Sequence, residues 1–415
     1  MATTSAAIDR GRVLELTERE RARFLARTPA SQAAFERAVA VMPRGVPSSF
    51  QAADPRPTYL SHGEGSRVWD VDGNEYVDFH NGFGVMCVGH ANPAVVRAVS
   101  ERAARGSHFA APTEGSVTVA RELRRRFGLP QWRFTNSGTE STMDAVHLAR
   151  AATGRDVILK IEGSYHGHHD SVMVSVRPPL EQLGPREEPS SVAFGGGHPP
   201  AVTELTKAIP FNDADLLERV LGDIGDRVAA VILEPAMMNI TIVCPRPGYL
   251  ERVRELTAAH GVVLVFDEVK TGCTIGPGGA TERFGVTPDV VCLAKATCGG
   301  YPGGAIGMTE ELAAHIASGQ VRQVGTFNGN PLVMAAAEAT LLEVLTDDAY
   351  AALEARSERL TAGLDEVIER YGLPCHTIGL PPRAASCSRP SACTSTATTR
   401  RRSTRSSPRW RGCTT

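Results

Sequence analysis

Two reactive side chains sit directly behind short apolar runs. Asp267 closes the run Val262 to Phe266, and Lys295, twenty-eight residues later, closes Val290 to Ala294. In open α/β sheets ligands bind beyond the carboxyl ends of the strands, so polar residues at such places are where chemistry is first sought. If the two runs are strands whose ends meet, a carboxylate and an amine face one pocket. An amine there can form a Schiff base with a carbonyl while the acid keeps a heteroaromatic nitrogen protonated, the pair that pyridoxal phosphate requires. A loop-capping Asp and a solvated Lys would satisfy the same spacing.

Other polar groups follow apolar runs in the same way. Glu234 follows Val228 to Leu233, and the turn Asn136-Ser137-Gly138-Thr139 follows Trp132 to Thr135 and precedes a helical pattern reaching Arg150. Hydroxyls and backbone N–H groups at a helix start suit a phosphate; an ordinary N-cap uses the same residue types. Tyr165-His166-Gly167 follows Asp156 to Ile161 and offers an aromatic face to a flat ring. His168 and His169 lie beside it, but the spacing matches no usual zinc pattern, and no metal is expected. Thr326 to Pro331 reads as a turn opening a helix. The Gly-rich runs contain no GxGxxG behind a strand, which sets a nicotinamide-cofactor dehydrogenase aside.

The elements that must position these residues read as an α/β fold. Short, continuously apolar runs at 133–135, 156–161, 228–233, 262–266 and 290–294 alternate with helical patterns, as expected for a doubly wound, mostly parallel sheet covered on both faces. Helices are expected within 12–42, from 331 to 345 and from 350 to 371, and a hairpin about Asp72-Gly73 within 67–79. The chain has 415 residues, 42% hydrophobic and 22% charged, with a formal net charge of −2; this is a globular composition without a broad nucleic-acid surface. No apolar run approaches the roughly 20 residues that span a bilayer. The first dozen residues lack the apolar stretch of a secretory leader, and the cysteines, including Cys87, Cys244 and Cys273, form no CxxC pair. The expected location is the cytoplasm.

From Pro381 onward the composition changes. Eight Arg and fourteen Ser or Thr accompany no Asp, Glu or Lys, whereas residues 1–380 carry 36 basic against 46 acidic groups, a formal charge of −10. Such a stretch cannot build a core, and it reads either as sequence out of frame or as a basic arm. The expected organisation is 1–80 as an N-terminal helical segment with a hairpin, 81–325 as a large cofactor-binding domain, 326–380 as the C-terminal part of a small domain, and 381–415 as an anomalous tail.

Taken in order, the segments resemble one family. Asn-Ser-Gly-Thr-Glu at 136–140, Tyr-His-Gly at 165–167, Glu-Pro at 234–235, Asp-Glu-Val at 267–269, Lys295 before Gly-Gly-Tyr-Pro-Gly-Gly-Ala, and Gly-Thr-Phe-Asn-Gly-Asn-Pro at 325–331 are similar to class III aminotransferases of pyridoxal-phosphate fold type I. Trp-Asp-Val-Asp-Gly-Asn at 69–74, Gly-His-Ala-Asn-Pro at 89–93 and Ala-Pro-Thr-Glu at 111–114 resemble the glutamate-1-semialdehyde 2,1-aminomutase branch. The resemblance implies a large sheet domain plus a smaller α+β domain from both termini. It implies that Lys295 forms the Schiff base and moves the proton, and that Asp267 pairs with the pyridine nitrogen. Val269 would lie on one ring face, and Tyr165 with His166 on the other. Ser137, Gly138 and Thr139 would hold the phosphate, joined by Thr326 from a second subunit, which implies a homodimer with shared sites. Asn239 would lie near the ring or substrate.

Two departures bear on the substrate. The aminomutase resemblance places an Arg where this chain has Gln51, and an Arg closing the segment that here reads Thr271-Gly272-Cys273-Thr274. Without these two cations a substrate carboxylate loses strong bidentate partners. The expected activity is therefore transfer of an amino group between an amine or amino acid and a carbonyl compound. The alternatives are an intramolecular amino shift of the aminomutase kind and an impaired cofactor-binding homologue produced by the altered tail.

Overall fold

The computed structural model describes residues 9–373 and 375–387. These fall into two units, one containing residues up to Phe83 with Gly89–Asn92, the other Gly84–Val88 and the chain from Pro93 onward.

In the first unit, helices Arg10–Arg27 and Pro29–Val39 precede a meander of β1 (Leu60–Glu64), β2 (Arg67–Asp70) and β3 (Glu75–Val77), all antiparallel. The β2–β3 turn is tied by Asp70: one oxygen accepts from the backbones of Asp72 and Asn74, the other from the Tyr76 hydroxyl. Asp72 in turn accepts from Ala30 and Ser31 at the start of the second helix.

The second unit is built on a seven-stranded sheet of β4 (Gln131–Thr135), β5 (Val157–Ile161), β6 (Thr206–Ile209), β7 (Val228–Leu233), β8 (Val263–Asp267), β9 (Val290–Leu293) and β10 (Gly304–Met308), in the order β4-β10-β9-β8-β7-β5-β6. The pairs among β5 to β9 are parallel; β10 runs antiparallel to both its neighbours. Every residue of β7 is fully buried, because alternate side chains enter two different apolar layers. Val231 and Leu233 join Leu123, Leu217 and Val253 from helices on one face; Ala230 and Ile232 join Ala145, Leu148 and Leu312 on the other. This is the two-faced burial that continuous apolar runs require.

Two strands, β6 and β10, lie in segments whose patterns did not mark them as strands. The helix expected at 331–345 runs as an α-helix over Pro331–Ala339 and then widens into a π-turn over Thr340–Val344. The helix Asp347–Tyr371 leads into a two-stranded ribbon, β11 (His376–Leu380) and β12 (Arg383–Cys387). β12 belongs to the segment set apart as an anomalous tail unable to build a core; it completes the ribbon, and residues 388–415 lie outside the described residues. Leu380 packs with Ala236, Ile275 and Ala280, and Arg283 donates to the Pro381 carbonyl at 2.8 Å. No helix among the described residues is long and apolar enough to cross a membrane.

Candidate active site

Because β4, β5, β7, β8 and β9 point the same way, their carboxyl ends share one edge of the sheet, and this edge gathers the polar residues singled out above. Asp267 pairs in register with Cys292, three residues before Lys295. Lys295 itself adopts a left-handed backbone conformation, φ 49°, at the start of a tight turn over Lys295–Cys298. A non-glycine residue held there carries strain that the packing around it must sustain.

Asp267 is buried, and its two oxygens are committed differently. Oδ2 lies 2.7 Å from His166 Nδ1, while Oδ1 accepts from the backbone of Val269 at 3.0 Å. His166 Nε2 is buried with no partner among the described residues, so the ring proton belongs on Nδ1 and is given to Asp267. The imidazole is thus engaged by the carboxylate, a contact that the reading of His166 as a ring-face residue beside Tyr165 did not include. Tyr165 remains half-buried above the edge, where burial and the nearby charge of Asp267 raise its hydroxyl pKa.

The phosphate-like turn and the aromatic loop are locked together. Ser137 caps the helix Gly138–Thr153, its hydroxyl accepting from Glu140 at 3.2 Å, so the N-cap reading holds for that side chain. Thr139 accepts from the His168 backbone at 3.1 Å, and Thr142 donates to the His166 carbonyl. Gly167 has φ 105°, and a Cβ there would fall 2.6 Å from Thr139 Cα. Gly138 approaches Val269 so closely that its Cβ would meet Val269 Cγ2 at 2.8 Å and would also touch Ala294, next to Lys295. The three histidines have separate surroundings: His168 is exposed, His166 is bound to Asp267, and burial brings His169 down to about 4.

Glu234 clamps two loops, accepting from Tyr165 at 3.1 Å and Met238 at 2.7 Å. Asn239 donates weakly to the Tyr165 carbonyl, at 3.5 Å. Thr326 is exposed, but its loop meets the helix-start turn through Asn328, which accepts from Asn136 at 2.9 Å.

Burial lowers the Lys295 amine below the usual lysine range; Asp267 and Glu234 pull it back up, and Arg383 pushes it down. Glu268 was singled out with Asp267 in the sequence; two other neighbours, Lys270 and Arg383, escaped that reading. Glu268, pointing away from the edge, accepts from Thr271, Ala280 and both donors of Thr281, fixing the β8 end to the next helix. Lys270 donates to the Met238 carbonyl at 3.2 Å, and burial brings its amine down to about 8. Arg383 reaches in from β12 to Thr274. Position 270 directly follows Asp-Glu-Val, which was a usable signal; Arg383 had none, since its segment was set aside on composition.

An amine, an acid braced by an imidazole, a half-buried aromatic ring and a glycine-lined helix start fit a planar pyridine bearing a carbonyl and a phosphate. This fold is that of pyridoxal-phosphate enzymes of fold type I. The aminotransferase class-III family profile matches residues 50–378, and the chain belongs to that family. A glutamate-1-semialdehyde 2,1-aminomutase from Bacillus licheniformis is 41% identical over 350 residues, 83% of this chain and 79% of the relative. Among solved structures, an omega-transaminase from Sphaerobacter thermophilus is 37% identical, covering 86% of this chain and 82% of its own with a TM-score of 0.82. A glutamate-1-semialdehyde aminomutase from Pseudomonas aeruginosa is 34% identical, covering 93% and 86% with a TM-score of 0.85; a variant of it was solved with PMP.

Proposed function

We propose that the chain is a pyridoxal-phosphate-dependent aminotransferase that moves an amino group between an amine or amino acid and a carbonyl acceptor. The observation that carries this reading is the placement of the half-buried Lys295, just beyond β9, beside the end of β8, where the buried Asp267 carboxylate is itself bonded to His166. The bound cofactor supplies a carbonyl for amine exchange and a ring that takes up electrons from the substrate carbon.

The protein's own residues do the rest. Burial favours the neutral, nucleophilic form of Lys295 Nζ, which serves as the attachment point and then carries the proton to and from the substrate carbon. Asp267 holds a proton on the ring nitrogen, and the His166 Nδ1–H keeps the carboxylate oriented for it. Val269 and Tyr165 confine the ring between them. The Gly138 and Thr139 backbone, the Ser137 hydroxyl and Thr326 of the partner subunit hold the phosphate, and Asn239 borders the substrate side. The same reading includes a cytoplasmic homodimer.

A second reading, the intramolecular amino shift, draws support from the 41% identity to an aminomutase. Gln51 and Thr274, standing where that branch has arginines, favour the transferase. Purified protein with cofactor should show a visible absorbance that Lys295→Ala removes and amino donors bleach. Absorbance unchanged by Lys295→Ala rejects the cofactor role. Turnover of glutamate semialdehyde with no added acceptor favours the shift, and dependence on a keto acid favours transfer.

A further inference from the structure

Two loops at the sheet edge contain non-glycine residues in the left-handed region: Lys295, φ 49°, just beyond β9, and Cys273, φ 57°, beyond β8 and its Asp267. Such backbones persist only where their surroundings over-determine them. Against the first packs the π-turn Thr340–Val344. Gly299 closes the Lys295 turn with φ 57°, and a Cβ there would run into Thr340 Oγ1. The Thr340 hydroxyl is buried with no partner among the described residues, so it fills space beside the turn rather than bonding to it. Against the second loop stands Tyr350, whose hydroxyl donates to the Cys273 carbonyl at 3.0 Å.

One guanidinium reaches both braces. Arg126, buried on the helix Glu114–Phe127, donates through Nη2 to the carbonyls of Leu341 at 2.6 Å and Leu345 at 3.2 Å, and through Nη1 to the Tyr350 hydroxyl at 3.2 Å. Carbonyls at a helix end need donors from outside the helix, and here Arg126 is the donor. Its Nε also donates to Glu122 at 2.7 Å, but that carboxylate already receives two bonds from Arg125. A buried ion pair is weak evidence for stability, since well-packed apolar groups serve as well. What an apolar side chain could not do is tie a π-turn and a tyrosine to one planar fork. Helices widened in this way occur frequently at functional sites.

Building on the reading of Lys295 as attachment point and proton carrier, we infer that Arg126 is a positioning residue: by fixing the π-turn against Gly299 and Tyr350 against Cys273, it holds the Lys295 and Asp267 loops at the spacing that proton transfer needs. The test uses the full chain with its cofactor and whichever of L-alanine, 4-aminobutyrate and 1-phenylethylamine bleaches the visible absorbance fastest. Arg126→Met should lower the bleaching rate at saturating donor by about ten- to a hundredfold, the cost of misplacing a reacting group. The half-saturating donor concentration should move by less than about threefold, because the loss falls on the chemical step. The pH midpoint of the visible absorbance should move as well. Arg126→Lys keeps the charge without the fork and should recover part of the rate. Arg125→Met, which removes the exposed partner of the same Glu122, should alter none of these. Should Arg126→Met fail to hold cofactor, Gly299→Ala carries the test, and adding Thr340→Ala should restore part of its lost rate. A lower urea midpoint with rate and pH midpoint unchanged, or a Gly299→Ala loss that Thr340→Ala does not relieve, overturns the inference and leaves the aminotransferase reading intact. An unsubstituted protein without a Lys295-dependent absorbance overturns both.

Discussion

Gly138 lacks a side chain because Val269 fills the space where a Cβ would go. That contact couples the helix start proposed to face the phosphate to the residue proposed to lie against the ring, so a change at one is felt at the other. Gly138→Ala should push Val269 out of place and weaken cofactor binding about tenfold, as overpacking at a close contact does. Val269→Ala in the same chain should restore most of the loss, a non-additivity measurable by cofactor titration of the single and double variants. Position 166 gives a different lesson. Its residue type was readable as part of a ring-covering pair, but only the fold shows the imidazole turned to Asp267, because its partner lies 101 residues away.

The β8 end depends on Glu268 as much as on its own ladder. A fully buried carboxylate that accepts four hydrogen bonds holds the helix Gly279–Phe284 against the segment carrying Asp267 and Val269. Glu268→Ala strands those donors and should cost about 3–5 kcal/mol, read as a lower urea midpoint with cofactor affinity falling in parallel. The strands that end in chemistry were legible because they are buried on both faces and so are apolar throughout. β10 was not, since two glycines in five residues leave little β propensity and its neighbourhood reads as a glycine-rich loop. β6 was hidden by its brevity and by the exposed Lys207 within it. β12 was hidden by composition: a ribbon strand needs only backbone pairing and one anchored neighbour, not a core of its own. The placement of Asp267 and Lys295 at neighbouring strand ends was therefore readable from spacing and motif, whereas Arg383 required the ribbon to be folded first.

Buried cations also govern how the whole chain responds to pH. Burial lowers Lys270 from 10.5 to about 8, so between those values the unfolded chain binds more protons than the folded one. The Lys270 contribution to stability then rises as pH increases from about 8 to about 10, against the opposite contribution of the buried thiols of Cys87, Cys273 and Cys298, which burial pushes up. Urea unfolding of the cofactor-free protein across that range should show stability falling more steeply with pH in Lys270→Met than in the unsubstituted protein; an unchanged slope would place the titration elsewhere. The reversed strand β10 has a consequence of a different kind. It separates the strand that ends at the turn of residues 136–139 from the strand that ends at Lys295, and at the usual spacing those two ends stand roughly 10 Å apart. Running backwards, it offers that gap only its first residue, Gly304, paired beside Thr135. If those two ends hold the two arms of one ligand, this intervening strand sets the distance at which an anionic group and a carbonyl can both be held.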